Sequence, residues 1–357
     1  MRLIRVACRD FRCLAETAFE PAPGTTLLRG ANAQGKTSLF EAVLFAAVTK
    51  SHRTNQDAEL VRHGCPGFHV RLDALRADRE VTIDARWREG IKRFQVNGVP
   101  QTRLSDILGK IHVVLFCPED AELVRGGAAI RRRFLDMEIS QVSPPYLNAL
   151  QQYRQALRQR NELLRRQESD PAMFDVWEAQ LARDGATLMR EREAYIQELA
   201  RHGADAYARL AEQEPLALAY RPDVPDPDQL AAALVKARDT DLKRAATTRG
   251  PHRDDLDIHI ADKSARLFAS QGQQKTAALV LKLAELELVK ARAGEYPVLM
   301  LDEVLAELDE ARARRLVAAI PRETQCLVTT TELEPRPGRF GADWAEFRIE
   351  RGTVQAI

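Results

Sequence analysis

Apolar and polar residues alternate over residues 3–7 and again over 68–75, 81–87 and 91–96. A period of two is the mark of half-buried strands, so these runs predict β structure. Asn97-Gly98, flanked by Val96 and Val99, adds a tight-turn signal, and together these segments predict an antiparallel meander. Three shorter, largely apolar runs at 111–116, 298–301 and 325–329 predict strands of a parallel sheet buried on both faces. Residues 1–30 also read as strands, with Pro21, Pro23 and Gly24 marking a turn before the β-prone run 25–28. The texture changes after Pro144-Pro145. Leu147, Leu150, Tyr153 and Leu157 recur at three- and four-residue steps, which predicts two or three long helices over 146–210, interrupted near 168–171. A proline-rich connector at 221–229 precedes another helix, strand character returns at 256–260, and residues 273–292 and 308–320 read as helices. The segment 344–357 predicts a hairpin around Arg351-Gly352. Two β-rich flanks thus enclose a helical middle and must meet to complete one sheet. The expected organisation is an α/β head from 1–140 and 245–357, with a helical lobe from 141–244.

Composition narrows the class only a little. A chain of 357 residues, 45% hydrophobic and 29% charged, can bury a sizeable core. The net charge of +1 excludes a uniformly basic nucleic-acid binder, yet 53 Lys and Arg against 52 Asp and Glu leave room for a local basic patch. The five cysteines form no CxxC pair, which favours free thiols in a reducing compartment. No apolar run approaches the roughly 18 residues of a membrane span. A cytoplasmic setting is expected.

The chemistry centres on residues 27–40, LLRGANAQGKTSLF. Gly30, Gly35, Lys36 and Thr37 match the phosphate-loop pattern G-x-x-x-x-G-K-[ST]. Glycines let successive backbone N–H groups turn inward to phosphate oxygens. Gly30, Ala31, Asn32, Ala33, Gln34, Gly35, Lys36, Thr37 and Ser38 are therefore the candidate nucleotide-binding segment. Lys36 is placed to reach the β- and γ-phosphates, and the Thr37 hydroxyl to hold Mg²⁺. The run 38–48 has helical composition, so the loop would open a helix with its positive end toward the phosphates. The polar stretch 50–55 could lie near the nucleotide.

A second motif, residues 298–303 (VLMLDE), would deliver two carboxylates to the C-terminal edge of a buried strand. Asp302 is the candidate Mg²⁺ ligand, and Glu303 the candidate base that polarises an attacking water. A third, residues 270–275 (SQGQQK), opens the long helix at 273–292 with donors suited to phosphate oxygens; Ser270 could equally be an ordinary N-cap.

In this order the three motifs resemble the ABC-type ATPases of the SMC/Rad50-like group. The resemblance narrows to the RecF family of bacterial recombination mediators. It is carried by GANAQGKTS at 30–38, FCPEDAELVRG at 116–126, RRRFLD at 131–136, GPHRDD at 250–255, SQGQQKT at 270–276 and LMLDEVLAELD at 299–309. It implies a mixed-sheet, Rad50-head-like P-loop ATPase with an antiparallel meander and an inserted helical lobe. It further implies ATP and Mg²⁺ as ligands, weak DNA-stimulated hydrolysis, and an ATP-dependent homodimer. DNA, RecR and RecO are the implied partners, and loading of RecA at single-strand gaps is the implied task.

By the same resemblance Lys36 and Glu303 are catalytic, Thr37 and Asp302 hold the metal, and Ser270, Gly272 and Gln273 contact the nucleotide of a second copy. Asp309 would lie at the seam between copies. Gln271 stands where the wider ABC pattern has a glycine, and Thr329-Thr330-Thr331 where it has a switch histidine. A hydroxyl is no substitute for imidazole as a proton carrier, so slow turnover is expected. Pro118-Glu119-Asp120 occupies the place of a metal-contacting glutamine. His252 and Arg253 could meet DNA, nucleotide or a neighbouring loop. Arg131–Arg133 could be a phosphate-binding patch or a salt-bridged surface, and Arg154, Arg158, Arg160, Arg165 and Arg166 give one helix a basic surface that could be a solvated face or a DNA-contacting one. An ABC transporter subunit and a small-molecule P-loop kinase are the rival readings. The first should carry a switch histidine and LSGGQ; the second has no use for the SQGQ segment.

Overall fold

In the computed structural model, residues 1–168, 170–210, 215–306, 308, 310–331 and 344–357 are described, with backbone only at 209 and 210. Asp309 lies outside them. In chain order come strands β1 (Arg2–Phe11), β2 (Leu14–Phe19) and β3 (Thr25–Arg29), then helix α1 (Lys36–Val48). Strands β4 (Gly67–Arg76), β5 (Arg79–Arg88), β6 (Ile91–Val96), β7 (Val99–Gln101) and β8 (Val113–Phe116) follow. Next are helices α2 (Glu122–Arg125), α3 (Ala128–Val142), α4 (Pro144–Arg165) and α5 (Pro171–Leu210), strand β9 (Leu216–Arg221) and helix α6 (Leu230–Arg244). The remainder is β10 (Asp255–Ile260), β11 (Lys263–Ser264), α7 (Ala265–Phe268), α8 (Gln271–Ala293), β12 (Val298–Leu301), α9 (Glu310–Ala319), β13 (Cys326–Thr330), β14 (Trp344–Glu350) and β15 (Thr353–Ala356). No helix among the described residues is long and apolar enough to cross a membrane.

The chain forms two compact units. The first comprises Met1–Asp120, Ala206–Glu212 and Leu279–Ile357. It holds two sheets. One is antiparallel in the order β2-β1-β4-β5-β6-β7; the other is mixed, in the order β15-β14-β3-β13-β12-β8. In the mixed sheet β3 lies between β13 and β14, parallel to both, and β12 lies parallel between β13 and β8. Strand β12 is buried along its whole length, as an unbroken apolar run requires when both faces are covered. Helix α1 is apolar nearly all round and correspondingly buried. Its Phe45 packs edge-on against Phe68 of β4, which meets Phe11 of β1 the same way. The Asn97-Gly98 turn has both residues at positive φ, 50° and 77°, the requirement of a type I′ hairpin.

The second unit comprises Ala121–Asp205 and Gln213–Ala278. Helices α3 to α6 are joined there by a three-stranded sheet, β11-β10-β9. Its strand β9 was hidden in the sequence, because LALAYR follows directly on the helical stretch. These units differ from the boundaries expected from sequence: residues 121–140 and 245–278 fall with the second unit rather than with the head. Pairing of β10 with β9 explains part of this. The bidentate pair between Arg131 of α3 and Asp255 of β10, at 2.7 and 2.9 Å, explains the rest.

Of the arginines expected to give one long helix a basic surface, Arg154, Arg158, Arg165 and Arg166 are exposed and Arg160 is not. Arg160 is wholly buried, bonded to Glu178, Asp241 and Thr247. Arg154 is paired with Asp136, and Arg165 and Arg166 with Glu162. The buried stripe of α4 runs through Tyr146, Leu150, Tyr153, Ala156, Arg160 and Leu164, and Arg160 occupies a core position of that stripe. Arg131 likewise serves structure, being buried against Asp255 and the carbonyl oxygen of Gly126.

Candidate nucleotide site

Strand β3 ends at Arg29, and the segment Gly30–Gly35 turns the chain into α1. Gly30 donates its N–H to Thr330 O, which ties the loop to the end of β13. A Cβ on Gly30 would stand 2.3 Å from Ile349 O of β14, so only glycine fits that approach. Gly35 caps α1 at φ 108°, the left-handed region that other residues avoid. Gln34 faces the hairpin of β14 and β15: its carbonyl accepts from Gly352 N–H at 3.0 Å and its side-chain oxygen from Arg351 N–H at 2.7 Å. The Gln34 side chain and carbonyl thus brace the loop, and the expected nucleotide contact at this position would fall to its backbone N–H. Ala31, Asn32 and Ala33 are exposed, while Thr37 and Ser38 are half-buried.

Lys36 is folded back over the loop. Its ammonium donates to Gly30 O at 2.7 Å and Ala31 O at 3.0 Å, and pairs with Glu303 Oε1 at 3.1 Å. Asp302 follows β12 directly and is buried; its N–H donates to Phe116 O at the end of β8. Burial raises the Asp302 carboxyl above its ordinary range, partly offset by hydrogen bonds from Thr329 and Thr37, while Glu303 and Glu119 push it further up. Glu119, in the Pro118–Ala121 turn after β8, is thus close enough to act on the same carboxylate.

Thr329 was singled out in the sequence only for lacking an imidazole. Here its Oγ1 accepts from Glu303 N–H at 2.8 Å and donates to Asp302 Oδ1 at 2.7 Å. One hydroxyl therefore fixes both carboxylate residues. The bond matters most for Glu303, whose φ of 55° is uncommon for a residue with a side chain and needs support from its surroundings. The position at the end of the last core strand was the available signal.

The donor set suits Mg²⁺. A buried carboxylate and a threonine hydroxyl are hard oxygen ligands, and Mg²⁺ takes its remaining partners from phosphate and water. Among the described residues no group of three His, Cys, Asp or Glu could hold a metal unaided.

Beside the loop, a hollow of about 690 Å³ is lined by Arg12, Cys13, Ser38, Arg53, Arg62 and His63, among others. Arg12 is held in a fork against the buried Glu41 of α1, with two bonds of 2.9 Å. Arg53 from the polar stretch 50–55 reaches the wall of this hollow.

In the second unit, Ser270 N–H donates to Gln273 Oε1 at 2.8 Å and Gln273 N–H to Ser270 Oγ at 3.2 Å. This reciprocal pair is a capping box at the start of α8. It satisfies two backbone donors and leaves the serine O–H proton available to an acceptor. Ser270, Gly272 and Gln273 lie in this unit, while Lys36, Thr37, Asp302 and Glu303 lie in the first. His252 donates its Nε2–H to Thr247 O at 3.0 Å, which leaves Nδ1 to accept from the Tyr153 hydroxyl at 2.6 Å, and Arg253 next to it is exposed.

A phosphate loop and a strand-borne Asp-Glu pair on one mixed sheet, an antiparallel sheet beside it, and a capped helix carrying SQGQ define an ABC-type ATPase head of the SMC kind. The family described as "RecF/RecN/SMC N terminal domain" matches residues 2–335. The chain belongs to this family and, within it, to the RecF DNA replication and repair proteins. It is 39% identical to RecF of Lactobacillus johnsonii over 99% of both chains. Against RecF of Lactobacillus delbrueckii subsp. bulgaricus it is 42% identical, covering 94% of this chain and 92% of that one. A solved structure of the recombination mediator protein RecF with ATP, in the RecFOR pathway, superposes with a TM-score of 0.92 at 32% identity, covering 99% of this chain and 97% of that one.

Proposed function

We propose that this chain is an ATP-operated clamp on DNA, in which nucleotide joins two copies and slow hydrolysis releases them. The observation that carries the reading is the division of labour between two half-sites: Lys36, Thr37, Asp302 and Glu303 in one unit, and an exposed, capped Ser270 in the other. Lys36 and the loop N–H groups would bind the β- and γ-phosphates, and Thr37 and Asp302 would hold Mg²⁺, which supplies charge neutralisation at the phosphates. Glu303 would orient the attacking water and take its proton, with Thr329 fixing the backbone from which it projects. The basic hollow by Arg12 and Arg53 would receive the remainder of the nucleotide. Ser270, Gly272 and Gln273 would meet the γ-phosphate held by the other copy, so the closed state gains contacts that a single copy lacks.

The same reading places the protein in the cytoplasm, with duplex DNA and single/double-strand junctions as its binding partners. It would work with RecR and RecO to help load RecA at gaps. Static light scattering with ATP tests the clamp. Wild type should dimerise, Lys36→Met should neither bind ATP nor dimerise, and Ser270→Ala should bind ATP and stay monomeric. Normal dimerisation of Ser270→Ala on ATP would sink the trans contact.

A further inference from the structure

Antiparallel pairing sets which side chains share a face, because directly opposed residues point the same way. Val6, Val70, Leu72, Ile83, Ala85 and Phe94 point inward and are buried. Their neighbours form the outer face. One row across it reads Arg9, His69, Arg86, Arg93, the next Ala7, Arg71, Asp84, Gln95, and a third Arg5, Asp73, Thr82. Arg88 continues the pattern on β5, two residues beyond Arg86. Arg5, Arg9, Arg71, Arg86, Arg88 and Arg93 are all exposed. Exposed carboxylates lie at the margins of the rows, Glu16 of β2 paired with Arg9 at 2.9 Å and Glu80 on β5, while those inside the rows sit low. Asp84 is only 8% exposed and is surrounded by His69 at 2.6 Å, Arg71 at 3.6 Å and Arg86 at 3.9 Å. Asp73 is held beneath Arg71 at 3.0 Å. The layer that meets solvent is therefore guanidinium-rich, on a chain whose total net charge is only +1.

Two further features separate this face from an ordinary solvated surface. Arg86 and Arg93 are directly opposed across β5 and β6, and like charges in that relation destabilise a sheet. Nothing in the fold requires them to be paired so. The outer rows also carry no Phe, Tyr or Trp, since Phe68, Trp87 and Phe94 lie on the other register, and the one imidazole, His69, is held against Asp84 at 2.6 Å. A surface for stacking unpaired bases would need one.

We propose that this outer face of the antiparallel sheet docks duplex nucleic acid through its phosphate backbone. The arginine rows cover about 14 Å across three strand spacings and about 20 Å along the strands. That length faces roughly six successive phosphates of one strand. Contact through guanidinium alone makes the binding independent of sequence and steeply dependent on salt. The inference rests on the DNA-binding reading above and adds the surface to it.

The test is a salt titration of binding to a labelled duplex of about 40 base pairs, with ATP, for wild type and for the triple variant Arg5→Gln/Arg86→Gln/Arg93→Gln. These three residues lie outside the nucleotide site, and neutralising Arg86 and Arg93 removes a repulsion, so ATP binding should be unchanged and confirms folding. The variant should bind at least about tenfold more weakly at moderate salt, with a log–log salt slope smaller by about two to three. Arg158→Gln, on exposed α4, should match wild type. An unchanged affinity and slope in the triple variant would overturn the assignment of this face while leaving the DNA-binding reading intact. Absence of duplex binding by wild type in every nucleotide state would overturn both. Binding of anionic vesicles in place of duplex would also overturn the assignment.

Discussion

Lys36 Nζ stands 3.1 Å from Glu303 Oε1, so the lysine of the phosphate loop is already engaged by the proposed base. An incoming phosphate competes with that carboxylate for the ammonium. Removing the charge at 303 therefore has two separable effects. Glu303→Gln should bind ATP as tightly as wild type or several-fold tighter, since the ammonium it frees is the group an incoming phosphate needs. Its hydrolysis should fall by about 10²- to 10⁴-fold, the usual contribution of a general base. Equilibrium binding and phosphate release measure the two independently; weaker ATP binding would contradict the competition.

Thr329 is a positioning residue, bonded to both carboxylate-bearing positions. Thr329→Val keeps the shape and removes both bonds, leaving Glu303 N–H without that acceptor. Hydrolysis should drop about tenfold or more with ATP binding retained, at roughly 1–3 kcal/mol for an unsatisfied buried donor. Thr329→Ser should restore turnover. If valine and serine behave alike, the hydroxyl has no positioning role.

Arg160 tests whether the helical arginines serve structure or DNA. It is buried with two carboxylates, Glu178 and Asp241, and truncating one partner of such a cluster costs about 3–5 kcal/mol. Arg160→Ala should therefore lower the melting temperature sharply, whereas exposed Arg158→Ala should change stability by under about 0.5 kcal/mol. Chemical denaturation followed by circular dichroism distinguishes them.

His252 gives the second unit a pH dependence. Burial holds its imidazole below the ordinary value of 6.5, against the opposing bond to Thr247 O. In the window below 6.5 the unfolded chain takes up a proton that the folded chain refuses, so stability falls as pH falls. Unfolding at pH 7.5 and at 5.5 should show this loss, and His252→Gln should reduce it. A variant with the same slope as wild type would place the titration elsewhere.

The chemistry was more legible in the sequence than the scaffold that aims it. Residues 298–301 appeared as a buried strand with a carboxylate pair at its end, and β12 covers that span, because both faces of the strand are covered and no alternation competes. The turns at Asn97-Gly98 and Arg351-Gly352 were equally plain, since positive φ is demanded there. Arg160 was misread because charge was counted before position. Its spacing from Tyr153, Ala156 and Leu164 puts it on the apolar stripe, and that periodicity was available. Thr329 was signalled only by its place at the end of the last core strand, because joining the Asp302 carboxylate to the Glu303 N–H is a property of adjacent strands, not of any local spacing. The compact units depart from the expected boundaries at residues 121–140 and 245–278, where pairings such as Arg131–Asp255 join segments more than a hundred residues apart.

The contact between Gln34 and the Arg351-Gly352 turn bears on how the protein is made. Strand β3 is flanked on both sides by strands synthesised about 300 residues after it, and the loop that follows is buttressed by residues 351 and 352. During translation the first 48 residues can form α1 locally, yet the bed of the phosphate loop cannot close until 344–357 has emerged. Such long-range closure is slow. The phosphate loop of a nascent chain thus lacks its Gln34 buttress until synthesis has reached residues 351 and 352.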